Sequence, residues 1–230
     1  MKYLTLLVLC FTNICFSQIV NSTDNSPSYQ LNNYSDMAFM SIRIVSGPEE
    51  ALNGSSYLNE DFLPGTVLFH ETKQKMLIPV RYNAATKEIE AKRDGNIVAI
   101  GPINNLEVIF DSKSFVSIKN PKNGKLIFVQ RLTNGNYILY DFFEIKINKA
   151  PSDSALLNLE QKDELKIKSD LYFQIENGTI KSLPKRKKDL VNTFNSNALA
   201  FLKKQNLNLK KKEDAEKFFN FLNNNSEESK

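Results

Sequence analysis

Residues 115–147 read FVSIKNPKNGKLIFVQRLTNGNYILYDFFEIKI, and their reading decides the fold. Three runs rich in β-branched and aromatic residues, Phe115 to Ile118, Leu126 to Leu132 and Tyr137 to Ile147, alternate with two polar stretches that each hold an Asn-Gly pair. Side chains of a strand point to alternate faces, and runs of this composition suit a pleated, half-buried surface. An Asn-Gly pair between apolar runs is a strong hairpin signal, because a type I′ turn needs positive φ at both central residues. Lys122-Asn123-Gly124 and Thr133-Asn134-Gly135-Asn136 are therefore read as tight turns, and strands joined so closely run antiparallel.

The same punctuation continues towards the N-terminus. Thr66 to His70, Met76 to Tyr82, Glu88 to Lys92, Ile97 to Ile100 and Leu106 to Phe110 read as strands, with a turn at Arg93-Asp94-Gly95-Asn96. Ala38 to Val45 is a further extended stretch, read as an edge strand that Gly47-Pro48 breaks. Towards the C-terminus, Asn148 to Lys168 carries Ala150-Pro151-Ser152-Asp153-Ser154 and a charged run, which reads as a long loop. Leu171 to Glu176 is one more strand, ended by Asn177-Gly178.

After Pro184 the apolar period changes from two to about 3.6. Leu190, Val191 and Phe194, then Ala198, Phe201 and Leu202, then Ala215, Phe218, Phe219 and Leu222 form stripes, with Asn195 or Ser196 and Asp214 placed near helix N-termini. The expected fold is mainly β with C-terminal helices (α+β): an antiparallel meander, curled into a half-barrel or sandwich, followed by two or three short α-helices. The corresponding boundaries are an antiparallel β domain over 38–147, a loop or linker over 148–168 and a final strand within 169–183. A helical part over 184–223 and a disordered tail over 224–230 complete the chain.

The first residues read as an export signal. Met1-Lys2 supplies one positive charge, and Tyr3 to Phe16 follows with none, a run of secretory length that is shorter than the ~20 residues a membrane span needs. Small residues at Cys15 and Ser17 place cleavage between Ser17 and Gln18, giving a signal peptide over 1–17 and a polar, flexible leader over 18–37. Cleavage there would remove both cysteines, Cys10 and Cys15, so the mature chain would have no disulfide, thiol nucleophile or thiolate metal site. The formal charge of +4 falls to +3 without Lys2, too weak to imply a nucleic-acid partner. No segment of the mature chain approaches membrane-spanning length.

Two blocks carry a resemblance. Asn53-Gly54-Ser55-Ser56-Tyr57-Leu58-Asn59-Glu60-Asp61-Phe62-Leu63-Pro64-Gly65-Thr66-Val67 and, downstream, Arg81-Tyr82-Asn83-Ala84-Ala85-Thr86-Lys87-Glu88-Ile89-Glu90 resemble blocks of uncharacterised exported β-rich proteins of Bacteroidetes. The likeness covers about residues 53 to 223, with Ser56 where relatives often carry proline. It implies location and architecture and no activity. Asp153-Ser154-Ala155 also looks like the O-glycosylation acceptor motif of such exported proteins, against which stands an ordinary loop serine at Ser154.

Candidate chemistry is sparse. His70 is the only histidine, with no serine in a nucleophile-elbow context and no mature cysteine to complete a triad. Asn59-Glu60-Asp61 lacks the alternating spacing of a calcium loop, no metal site is expected, and no glycine motif for phosphate binding is present, so no cofactor is expected. Glu88 and Glu90 alternate in a strand and share a face, which suits either a glycosidase carboxylate pair or a wet strand face opposite Ile89. Arg81-Tyr82-Asn83 suits recognition of a sugar or carboxylate, or a structural corner in which Arg81 caps carbonyls and Tyr82 fills the core. The basic runs Lys185-Arg186-Lys187-Lys188, Lys203-Lys204 and Lys210-Lys211-Lys212 suit an anionic surface, or the solvated face of amphipathic helices.

The expected function is an exported cell-envelope module, periplasmic or extracellular or peripheral to the outer membrane, that works by binding or structural contact with an envelope protein or glycan. One alternative is an extracytoplasmic hydrolase of carbohydrate or peptide using Glu88, Glu90 or Asp111. The other is a peripheral binder of anionic surfaces through the basic helices.

Overall fold

The computed structural model describes residues 53–149 and 163–227. The signal peptide with Ser17 and Gln18, the leader, the Ala38 to Val45 strand and Ser154 lie outside the described residues. Among the described residues, ten strands form one antiparallel sheet: β1 Leu63–Phe69, β2 Gln74–Asn83, β3 Glu88–Arg93, β4 Asn96–Ile100, β5 Leu106–Phe110, β6 Lys113–Lys119, β7 Leu126–Arg131, β8 Tyr137–Asn148, β9 Glu164–Ile175 and β10 Lys181–Ser182. Three helices follow β10 among the described residues, α1 Lys187–Thr193, α2 Ser196–Lys204 and α3 Lys212–Glu227. The architecture is thus β-rich α+β, and the end strands β10 and β4 do not pair, so the sheet is not a closed barrel.

Strand order is β10-β9-β8-β7-β6-β5-β1-β2-β3-β4, a meander except that β1 lies between β5 and β2. Five residues, 101–105, therefore join β4 to β5, four places apart in the sheet. Twist accumulates at roughly 20–25° per strand. Over four steps it turns the strand direction by about a right angle and curls the end of β4 back towards the start of β5.

The curled half buries Val67, Val80, Ile89, Ile100 and Val108 around an aromatic stack. Phe110 lies on Phe115 at 4.8 Å between ring centroids, Phe115 on Tyr82 at 4.8 Å, and Tyr82 against Phe143 at 5.6 Å. Burial, with the nearby Asp141 charge, pushes the Tyr82 phenol well above its usual range, so it stays a donor. It donates to the Phe128 carbonyl at 3.0 Å.

That bond solves a local problem. β7 and β8 pair only at Gln130↔Asp141 and Arg131↔Tyr140, so the rest of β7 has no β8 ladder. Phe128 N–H donates to the Lys87 carbonyl in the β2–β3 turn, and its carbonyl takes the Tyr82 hydroxyl. Both backbone groups of this fully buried residue are satisfied without a β8 partner. Beyond the two paired positions β7 and β8 splay apart.

The helices cover β8 and β9. Phe194, Phe218 and Phe219 pack on Leu139, Leu171 and Phe173, with Phe194 edge-on to Phe218 at 5.1 Å. Asn195 caps α2, its side-chain oxygen accepting from Ala198 N–H at 2.9 Å.

Several local expectations need correction. Tight turns with positive φ at both central residues occur at Asp94-Gly95 (50° and 78°) and Asp111-Ser112 (49° and 56°), not at the two Asn-Gly pairs. There only Gly124 (71°) and Gly135 (113°) are left-handed. The first of these loops is organised by Asn120, whose side chain accepts from Lys122 N–H and whose carbonyl accepts from Gly124 N–H. β9 begins at Glu164 inside the supposed linker and pairs with β8 over all twelve residues, its Leu165 and Ile167 alternating with Glu164, Lys166 and Lys168. α3 continues to Glu227 rather than fraying after Asn223, whose amide accepts from Tyr137 N–H and donates to Tyr137 C=O, both at 2.8 Å.

Candidate functional site

Arg81, Asn83 and Glu90 come together beneath the segment 53–62. Register puts Arg81 opposite Glu90 and Asn83 opposite Glu88 on β2 and β3. The segment crosses that face: Leu58 N–H donates to the Tyr82 carbonyl and Ala84 N–H to the Ser56 carbonyl. Tyr57 and Phe62 then sandwich the Arg81 guanidinium, at 3.6 and 4.4 Å from their ring centroids. The two sequence blocks quoted above are thus packed against each other.

Glu90 is only 1 % exposed, and its carboxylate is surrounded by donors. Arg81 gives two bonds to Oε2, from Nε at 2.9 Å and Nη2 at 2.7 Å. Asn83 Nδ2 reaches Oε1 at 3.1 Å and the Tyr57 hydroxyl reaches it at 3.3 Å. Arg81 Nη1 also donates to the Glu60 carbonyl at 3.0 Å. Burial, the Glu90 charge and its hydrogen bond raise the Tyr57 phenol, which keeps that donor protonated. This is a corner fastened by an ion pair: Arg81 caps a carbonyl, Tyr82 fills the core, and Asn83 binds Ala85 N–H through its side-chain oxygen. The face shared by Glu88 and Glu90 is accordingly not a wet one at Glu90.

The other candidate acids and the histidine are also engaged. Asp111 is exposed at the β5–β6 turn, where hydrogen bonding and the charge of Lys113 lower its carboxyl. His70 Nε2 meets Glu107 Oε2 at 2.8 Å; Ser114 Oγ and Arg131 Nη2 donate to Oε1, both at 2.6 Å. Burial alone would raise the Glu107 carboxyl, but bonds from Ser114, His70 and Arg131 outweigh it and hold it below its usual range. A nucleophile triad needs the imidazole between hydroxyl and carboxylate. Here the carboxylate sits in the middle, so Ser114 faces Glu107 and not the His70 imidazole, and the triad order is absent.

The basic runs divide. Arg186 precedes α1 without a side-chain cap, Lys188 is exposed, and the Lys187 side chain is outside the description. Lys185 instead meets Lys210, Lys211 and Lys212 along a cleft of about 600 Å³ between β8, β9 and the start of α3. Its floor is Asp141, 1 % exposed, which accepts from Ser169 Oγ and from Lys212 Nζ at 3.0 Å. Lys212 also donates to Gln130 Oε1 at 3.0 Å, bridging the splayed β7–β8 junction. Lys185 pairs with Asp170 at 2.9 Å.

Asp141, Ser169 and Gln130 were missed by the sequence reading. The available signal was Asp141 itself: Leu139, Asp141 and Phe143 share a strand face, so an acid stands in an apolar row. Among the described residues no cluster of three His, Cys, Asp or Glu could hold a metal, and no helix is long and apolar enough to cross a membrane.

Compared with protein-family models, with curated proteins and with solved structures, the chain matches none.

Proposed function

We propose that the chain is an exported, non-enzymatic module of the cell envelope that acts by contact with an envelope protein or glycan. The observation that carries the second half of this reading is the engagement of Glu90 by Arg81, Asn83 and Tyr57. A glycosidase acid or nucleophile must reach substrate and change protonation or bonding state there. Glu90 is 1 % exposed beneath a stacked guanidinium, so its geometry supports a fastening role. Export is supported by Met1-Lys2, the uncharged run to Phe16 and the small residues before Gln18.

The test is cross-linking of the chain in its native envelope, followed by intact-mass measurement. The expected result is a polypeptide beginning at Gln18, outside the cytosol, in a discrete cross-linked species. A chain beginning at Met1 in the cytosol, or a processed chain without any such species, refutes the reading. Binding of anionic surfaces through the C-terminal basic residues is favoured by one further observation, the convergence of Lys185 with Lys210, Lys211 and Lys212.

A further inference from the structure

We propose that the cleft between β8, β9 and the start of α3 is a binding site for a small anionic ligand, held through a phosphate or carboxylate group by Lys185, Lys210, Lys211 and Lys212. The inference does not depend on export. It rests on where those ammonium groups stand and on how Asp141 and Asp170 beside them are already used.

Two basic runs separated by more than twenty residues line one concavity, whose volume of about 600 Å³ falls in the range of small-molecule sites. The acids along it are Asp141, Asp170 and Glu213. Asp141 has one oxygen occupied by Ser169 and the other by Lys212, and Asp170 is paired with Lys185. Lys210 and Lys211 are exposed, and among the described residues neither ammonium makes an ion pair. Each ammonium carries three donors. Lys212 uses two, on Gln130 and Asp141, and Lys185 uses one, on Asp170, so donors remain on both. Glu213 is exposed and makes no ion pair among the described residues, so the four ammonium groups face three carboxylates and keep donors beyond those used on Asp141, Asp170 and Gln130.

The walls strengthen this. Phe143, Leu171, Leu183 and Leu209 are each buried and border the cleft. Apolar, low-dielectric walls focus the field of charges at a cleft mouth and strengthen attraction for an incoming ion of opposite sign. Lys203 and Lys204, in the last turn of α2, are exposed and do not line this cleft.

The chemistry is shared by a free anionic solute and by a lipid headgroup, and the experiment separates them. Inorganic phosphate is titrated into the ¹⁵N-labelled full chain at constant ionic strength, with vesicles of phosphatidylglycerol in a parallel arm. Saturable amide shifts confined to residues around Lys185 and Lys210 to Glu213 are expected. Lys210→Ala/Lys211→Ala, both exposed, should weaken binding about tenfold, roughly 1.4 kcal/mol, while Lys203→Ala/Lys204→Ala leaves it unchanged. With that pattern, absence of vesicle binding identifies a free solute, and vesicle binding displaced by phosphate identifies a headgroup. The proposal is overturned if phosphate shifts do not saturate, if the two double variants lose binding equally, or if vesicles bind while phosphate does not.

Discussion

Replacing Arg81 with methionine should be among the most damaging single changes on the sheet. Methionine keeps most of the side-chain volume but removes both bonds to Glu90 Oε2 and the bond to the Glu60 carbonyl. Hydrogen bonds to charged groups contribute about 1.5–3 kcal/mol each, and removing one partner of a buried pair costs about 3–5 kcal/mol because the other charge stays buried. Two features bracket the value. Asn83 and Tyr57 still donate to Glu90, which limits the loss. Stacking of the guanidinium on Tyr57 and Phe62 is lost as well, at about 0.5–1 kcal/mol per ring. The expected cost is about 4 kcal/mol.

Urea unfolding followed by circular dichroism measures it. Glu90→Gln alone should cost less, about 1–3 kcal/mol, because Arg81 keeps its ring contacts and its Glu60 bond and has 14 % of its side chain in water. The double variant should be more stable than Arg81→Met alone, since the neutral amide no longer demands a cation. Arg81→Met costing under about 1 kcal/mol, or a double variant as unstable as the sum of the singles, would refute the account. It would also return Glu90 to the list of carboxylates free for chemistry.

Two further outcomes are expected. Because the folded Glu107 carboxyl is held below its unfolded value, the stability it contributes is present above the unfolded pKa and lost as pH falls through the folded one. Glu107→Gln should therefore flatten the loss of stability as pH falls below the unfolded carboxyl pKa, read as urea midpoints; an acid limb as steep as that of the parent chain counts against the network. Asn195→Ala removes the side-chain cap of α2 and should cost about 1 kcal/mol, seen as a lower thermal midpoint, and an unchanged midpoint would mean that the cap is not what holds the α1–α2 junction.

The strand pattern was legible because it is local. Leu126 to Leu132 and Tyr137 to Ile147 differ from β7 and β8 by one residue at their C-terminal ends, since alternation and turn residues need no knowledge of neighbours. Two things escaped. The β1 insertion between β5 and β2 depends on accumulated twist, which no short window carries. The first half of β9 was hidden because Lys166 and Lys168 look like linker charges until β8 is known to pair beside them.

The candidate site divides along the same line. Arg81, Asn83 and Glu90 could be grouped from one hairpin, because β2 and β3 are adjacent in sequence and register follows from the turn. Whether that group is a fastening or a catalytic pair depends on Tyr57 and Phe62, which lie in a separate block upstream of β1 and not in that hairpin. The lysine cleft lay further out of reach. Lys185 and Lys210 to Lys212 each read as the wet side of an amphipathic segment, and that reading is correct for Lys203 and Lys204, which are exposed on α2. What separates the two cases is a gap in the sheet: β7 and β8 pair at only two positions, Asp141 stands at that break, and Lys212 reaches in to meet it. A buried acid in an apolar strand needs a cation, so Asp141 is the residue from which the basic runs could have been ordered, one drawn inward and the rest left at the rim.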